Sequence, residues 1–295
     1  MRDCLNKVIE AIKDSDLSPL PPNREMLIRS GWTKHIGTML DGTVVIVRQI
    51  ALEHSHVLIH CSDGWDRTSQ LSSLAQICLD PYFRTIDGFM ALVEKDWVSF
   101  GHRFRDRCGF LGSDKWFIEK KVSPVFHQFL DATYQILHQN PTRFEYNERF
   151  LRRLLYHLYS CQYGTFLHNN DKERHGARIQ EHSRSVWDYF LARREMWINE
   201  KYDPAADGAD REREIGGGRV LFPKTGAAIR WWEECWGREV GEMNGSAISL
   251  PATNFPEEGD GSRTGGGGGR GTSPLPGWQS GTAAGSDKGI EVEMM

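Results

Sequence analysis

The chain has 295 residues, enough for one large domain or for one domain with a tail. An apolar fraction of 39% and an aromatic fraction of 11% suit a soluble globular core, and a formal net charge of −4 gives no ground for nucleic-acid binding. No apolar run approaches the roughly 18 residues that span a bilayer, and Met1-Arg2-Asp3-Cys4 leads into an amphipathic pattern, not a signal-peptide core.

Residues 1–13 place Cys4, Leu5, Val8, Ile9 and Ile12 on one side of a helix. Ser18-Pro19-Leu20-Pro21-Pro22 then forbids regular structure. Over 32–53, Trp32, Ile36, Met39, Leu40, Val47 and Ile50 recur at helical spacing. Asp41-Gly42 and the β-branched stretch Thr43 to Val47 would also suit a turn and a strand; helix is the preferred reading.

Val57 to Ile59 reads as a short buried strand, followed by a tight polar loop, Cys61-Ser62-Asp63-Gly64-Trp65-Asp66-Arg67. Thr68 and Ser69 are placed to cap the next helix, whose apolar face is Leu71, Leu74, Ala75, Cys78 and Leu79. Asp80-Pro81 ends that helix, because a residue before proline is pushed out of the α region. Strand, loop and helix N-terminus together make an anion-binding device: loop amides converge and the helix dipole adds positive potential. In that field, and beside Arg67, the Cys61 thiol is expected below its usual pKa, as a thiolate near neutral pH. Arg67 can grip two phosphate oxygens through its planar fork. A thiolate in a phosphate cradle points to phosphoryl transfer to cysteine. Most cysteines are small buried hydrophobes, and a Cys-to-Arg spacing alone recurs by chance. Here the strand before, Gly64 for the turn, the helix after, and the carboxylates Asp63 and Asp66 favour the chemical reading.

Further along, Ile86, Phe89, Met90, Val93 and Trp97 form a helical stripe. Ser99 to Gly109 carries Arg103, Arg105 and Arg107 and is short of acids; if helical, it puts Arg103 and Arg107 on one face. A solvated basic turn is the ordinary reading of such a run, but a nearby anion site favours function. Helices are expected from Val125 to Leu137 after Ser123-Pro124, from Phe150 to Leu158, and around Val186 to Leu191. His157 and His168 read as packing or surface residues, since no third ligand sits at metal spacing. Residues 203–218 read as a flexible insertion, and Ala227 to Arg238, with Trp231, Trp232 and Trp236, as a last helix docking its aromatics on the domain. The six cysteines lie far apart without paired spacing, so neither a zinc site nor a disulfide framework is expected and the compartment reads as reducing. From 239 to 295 the composition turns Gly-rich and poor in aliphatics, and that tail is expected to be disordered. The resulting fold class is α/β: a helix-rich domain over 1–238 with a reduced or incomplete central sheet.

At His60-Cys61-Ser62-Asp63-Gly64-Trp65-Asp66-Arg67-Thr68 the sequence closely resembles the myotubularins, phosphoinositide 3-phosphatases of the cysteine-phosphatase superfamily. Leu79 to Ile86, Glu94 to Trp97, Ser99 to His102, Ser160 to Gly164 and Ile229 to Trp232 also look like family segments, so the resemblance covers roughly 1–238. It implies a cysteine-phosphatase-like fold and, as substrates, phosphatidylinositol 3-phosphate and phosphatidylinositol 3,5-bisphosphate. Carried over by motif, Cys61 is the nucleophile, Arg67 binds the scissile phosphate and Asp66 is the general acid. Ser62, Asp63, Gly64, Trp65 and Thr68 belong to the substrate-binding loop, and Arg103 and Arg107 hold further phosphate charge. The resemblance implies no cofactor and no metal. It further implies a membrane-surface lipid as partner, association with other myotubularin-like proteins, and a cytoplasmic place at endosomal or vacuolar membranes. Family members begin with a PH-GRAM-type domain and an N-terminal stretch of the phosphatase domain, neither recognised here, and no coiled coil or zinc-binding lipid module is visible. The chain therefore reads as the C-terminal part of a longer protein or a truncated gene model. A catalytically inactive fragment that binds phosphoinositide or protein is the alternative. A protein tyrosine phosphatase is a third reading, disfavoured by the paired aspartates and extra arginines.

Overall fold

The computed structural model describes residues 2–13, 15, 21–109, 121–207 and 218–245, and the backbone of 278–282 and 289–294. Helix α1 (Arg2–Lys13) buries Val8 and Ala11, whereas Ile9 of the expected stripe is largely exposed. Helix α2 (Arg24–Ser30) begins where the Asn23 side chain accepts from the Met26 amide and ends at Gly31, whose φ of 72° suits glycine. Helix α3 (Trp32–Ala51) runs straight through the ambiguous stretch 43–47. Trp32, Ile36, Leu40, Thr43 and Val47 all face inward at helical spacing, and burying that stripe outweighs the β preference of single residues.

Strand β1 (His56–His60) leads through the polar loop into helix α4 (Arg67–Leu79), which is buried on nearly every side. Asp80 accepts from the Tyr82 amide and starts a 3-10 turn, and Thr85 caps helix α5 (Ile86–Val93) through the Gly88 amide. That helix widens into a π turn over Glu94–Ser99, then breaks at Gly101 with φ 91° before the short α6 (Phe104–Cys108). Helix α7 (Val125–Gln139) is the axis of the molecule: every residue from Val125 to Leu137 is buried, and α3, α4 and α8 (Glu148–Ser160) pack around it. Short helices α9 (Asp171–Gly176), α10 (Ile179–His182) and α11 (Val186–Leu191) follow. An aromatic core links Phe126 and Phe129 of α7 to Trp97 and Phe104, with centroids 4.8 to 5.3 Å apart for Trp97–Phe126, Trp97–Phe129 and Phe104–Phe126.

Three expectations are corrected. The tail is not disordered throughout: strands β2 (Trp278–Thr282) and β3 (Gly289–Met294) form a three-stranded sheet with β1, in the order β1-β3-β2. β3 lies parallel to β1 with Val57 opposite Ile290 and Ile59 opposite Val292, and antiparallel to β2. A strand with an open row of amides and carbonyls recruits another strand, which composition alone does not reveal. Residues 241–244 also fold back, with the Gly241, Met243 and Asn244 amides donating to the Glu233 carboxylate at 2.7 to 3.0 Å; residues 246–277, 283–288 and 295 of the tail lie outside the described residues.

Second, Ala227 to Arg238 is not one helix but two 3-10 turns, Gly226–Ala228 and Glu233–Trp236. The aromatics do dock: Trp232 is fully buried and stacks on Tyr134 at 5.0 Å, and Trp236 meets Trp32 edge-on at 5.5 Å. Third, 203–218 is not simply flexible. Asp207 accepts from Arg84 Nη2 at 3.0 Å and from Arg143, both buried, and Gly218 accepts from Arg143 through its carbonyl. Residues 208–217 between them lie outside the described residues. Among the described residues no helix is long and apolar enough to cross a membrane.

Candidate active site

The loop after β1 wraps around the Cys61 sulfur. Gly64 takes φ 86°, a conformation open to glycine, and this turns its amide onto Sγ at 3.2 Å. The Thr68 hydroxyl donates to the same sulfur at 3.2 Å. Thr68 is therefore not the helix cap; α4 begins at Arg67, with Asp66 in the capping position and no side-chain cap bond. Burial alone would raise the Cys61 pKa. Hydrogen bonds from the Thr68 hydroxyl and amide and from the amides of Asp63 and Gly64 outweigh it, and the pKa lies below that of an ordinary thiol. The direction is the one expected, but the cause is hydrogen bonding at the sulfur and not the charge of Arg67. Burial pushes Cys78 the other way, up to about 12, and raises Cys108 and Cys235 as well.

Arg67 closes the loop, donating from Nη2 to the Ser62 hydroxyl at 3.1 Å. Ser62 and Asp63 are exposed at its tip. Asp66 is gripped from two sides. Arg107 donates from Nε at 2.9 Å and from Nη2 to Oδ2, and His102 Nδ1 lies 2.9 Å from Oδ1. The same His102 nitrogen is 3.0 Å from the Trp65 carbonyl, so with two acceptors before it Nδ1 carries the proton. Burial would raise the Asp66 pKa, but His102 and Arg107 outweigh it and hold the carboxyl below its usual value. The core sets His102 in place: its ring packs edge-on against Trp97 at 4.9 Å and Phe104 at 4.7 Å.

Arg103 lies over the Trp65 ring at 5.5 Å and pairs with Asp106 at 3.2 Å. Two of the three arginines of the basic segment thus reach the loop from one element, Arg107 to Asp66 and Arg103 to Trp65. Arg105, between them, is exposed. A cleft of about 400 Å³ opens beside Asp66 and Arg67 and is also lined by Arg2, Gln70, Arg107, Lys121 and Gln128. Lys121 caps this edge, its carbonyl accepting from Arg107 at 2.7 Å. His102 was missing from the sequence-derived site, although it stood beside Arg103 in an acid-poor segment and closed the family-like stretch Ser99 to His102. Gln70 could have been found as the residue one turn beyond Arg67 on the same helix face. Arg2 and Lys121 come from remote segments and left no local signal.

Residues 1–175 match the family profile described as the myotubularin-like phosphatase domain. The chain is 39% identical to the "Phosphoinositide 3-phosphatase" of Saccharomyces cerevisiae over 76% of its own length. It is 45% identical to "Phosphatidylinositol-3,5-bisphosphate 3-phosphatase MTMR6" of Rattus norvegicus over 68%, and 43% identical to "Phosphatidylinositol-3-phosphate phosphatase MTMR7" of Homo sapiens over 68%. It spans 42%, 30% and 29% of the lengths of these three relatives. A profile match over more than half the sequence, centred on a cysteine–arginine loop with this geometry, places the chain in the myotubularin-like phosphatase family.

Proposed function

We propose that the protein is a phosphoinositide 3-phosphatase that removes the 3-phosphate of phosphatidylinositol 3-phosphate and phosphatidylinositol 3,5-bisphosphate through a phosphocysteine. The observation that carries this reading is the Cys61 sulfur, held by the Gly64 amide and the Thr68 hydroxyl with its pKa depressed, in a loop closed by Arg67. The names of the relatives support the lipid as substrate. The strand–loop–helix unit β1–α4 in a helix-rich body supports a cysteine-phosphatase-like fold.

In the first step the Cys61 thiolate attacks phosphorus, the bond from phosphorus to the inositol 3-oxygen breaks, and Asp66 gives that oxygen its proton. Arg67 and the loop amides stabilise charge on the equatorial oxygens. In the second step water attacks phosphorus, Asp66 takes its proton, and the sulfur leaves as thiolate with release of orthophosphate. Asp66 must be protonated to begin, yet Arg107 and His102 favour its anion. An entering phosphate reverses the balance: it draws Arg107 toward itself and its own charge favours the acid form of Asp66. Arg107 is thus shared between the carboxylate at rest and substrate at work, with Arg103 and the Trp65 ring beside it.

A second reading, a catalytically inactive phosphoinositide-binding module, is favoured by one observation: the resting site holds Asp66 as the anion. Release of phosphate from short-chain phosphatidylinositol 3-phosphate separates the two. The first reading expects turnover that Cys61→Ser abolishes; binding of the lipid by the folded protein with no release leaves the second. We further propose that it acts from the cytoplasmic side at endosomal or vacuolar membranes, which imaging of the tagged protein tests.

A further inference from the structure

The two oxygens of Asp66 have different neighbours. Arg107 donates to Oδ2 alone, from Nε at 2.9 Å and from Nη2. Oδ1 is buried and stands 2.9 Å from His102 Nδ1. The Nδ1–H is aligned on the Trp65 carbonyl at 3.0 Å, and Oδ1 lies beside that bond with no aligned donor of its own among the described residues. Asp66 lines the cleft together with Arg67 and Arg107. With Oδ1 sealed in, a proton bound for a substrate oxygen in the cleft leaves from Oδ2.

The two neighbours also differ in how firmly they are held. Arg107 is a long side chain, 23% exposed, that lines the cleft and can turn toward an entering phosphate. His102 has no such freedom. Its side chain is fully buried, its amide donates to the Trp97 carbonyl at 2.9 Å, and its ring packs edge-on against Trp97 and Phe104. Trp97 is tied in turn to α4, its Nε1 donating to the Ser73 hydroxyl at 2.9 Å. That helix also carries Arg67 and Thr68, so histidine and loop share one support. His102 Nε2 is buried without a hydrogen-bond partner among the described residues, which leaves Nδ1 as the atom through which the ring acts on the site. Once Arg107 turns to a phosphate, Oδ2 is free to carry a proton, and His102 is the neighbour still in place beside the carboxyl.

We propose that His102 is a positioning residue for the general acid: Nδ1 keeps the Trp65 carbonyl and Asp66 Oδ1 in place while Arg107 leaves, so that Oδ2 faces the departing inositol oxygen and gives it the proton. This role rests on the phosphatase reading and adds to it which oxygen of Asp66 works and what orients it.

His102→Phe keeps a flat ring against Trp97 and Phe104 and removes the Nδ1 donor, whereas His102→Asn sets an amide N–H close to the place of Nδ1. Both are compared with the parent by kcat/KM on short-chain phosphatidylinositol 3-phosphate, whose alkoxide needs a proton to leave, and on p-nitrophenyl phosphate, whose phenolate leaves without one. His102→Phe should lose at least about tenfold on the lipid and less than about threefold on the aryl phosphate. His102→Asn should recover most of that loss. The double variant of Asp66→Asn with His102→Phe should be no slower on the lipid than Asp66→Asn alone, because His102 acts through Asp66. Equal losses on both substrates, or losses that add in the double variant, would show a merely structural role and overturn the proposal. A parent that turns over neither substrate refutes the phosphatase reading instead, and the pairing is then decided without turnover. In imidazole NMR the His102 proton should sit on Nδ1, exchange slowly with water and shift in Asp66→Asn. A proton on Nε2 alone, or an Nδ1 signal indifferent to Asp66→Asn, would overturn the proposal whatever the turnover.

Discussion

Cys61 and Asp66 are tuned in the same direction by different neighbours, and each neighbour can be removed singly. Thr68→Val takes away the hydroxyl that donates to Sγ while keeping the shape. It should move the pH midpoint of Cys61 alkylation upward and lower kcat at least about tenfold, since charge-assisted hydrogen bonds are the strong ones. An unchanged alkylation profile would mean that the amides alone set the thiolate. Asp66→Asn should leave the fold intact and cost about 10² to 10⁴ in kcat, the usual worth of a general acid. The same carboxylate has a stability signature. Its folded pKa lies below the ordinary value of 3.8, so its contribution is present above that pH and is lost as pH falls through the folded pKa. Urea unfolding of the parent and of Asp66→Asn should therefore show a gap at pH 6 that closes below about pH 3.8; a gap that stays constant would contradict the pairing with Arg107 and His102.

Elements with a dense local stripe were legible in the sequence. The reading of α3 as helix rested on Trp32, Ile36, Leu40 and Val47, and these are the side chains that pack. The loop between β1 and α4 was legible because its residue types and spacing carry the chemistry themselves. Thr68 was misread as a cap because a hydroxyl in the first turn serves either purpose, and here the sulfur is its acceptor. The stretch 227–238 imitated a helix through its tryptophans, although Gly226 and Gly237 both take positive φ and bound separate turns. The Asp207 clamp was illegible for another reason: its partners Arg143 and Arg84 lie 64 and 123 residues away, so no local pattern announces it. Asp207→Asn leaves two buried guanidinium groups without their counter-charge and should destabilise by about 3 to 5 kcal/mol. Thermal unfolding checks this, and a fall in Tm no larger than that of an exposed Asp→Asn control would contradict it.

For the whole molecule the sequence pointed to one strand among many helices, and the structure shows how that strand is served. β1 is covered along one edge by β3 from the far end of the chain, and Leu58 remains 63% exposed. Removing residues 246–295 takes β2 and β3 away, so the amides of 57–59 should exchange hydrogen faster while those of α7, inside the core, stay protected. Unchanged exchange at 57–59 would mean that β3 does not pair with β1 in solution. The helical body around α7 brings the π turn, His102, Arg103 and Arg107 to the loop at Cys61 through packed aromatics. The most direct measurement is phosphate release by the purified, folded chain from short-chain phosphatidylinositol 3-phosphate, beside Cys61→Ser. The account predicts steady release by the parent and a loss of about 10⁴-fold or more in the serine variant, as when a nucleophile is removed. No release by the folded parent, or equal release by the serine variant, would contradict it.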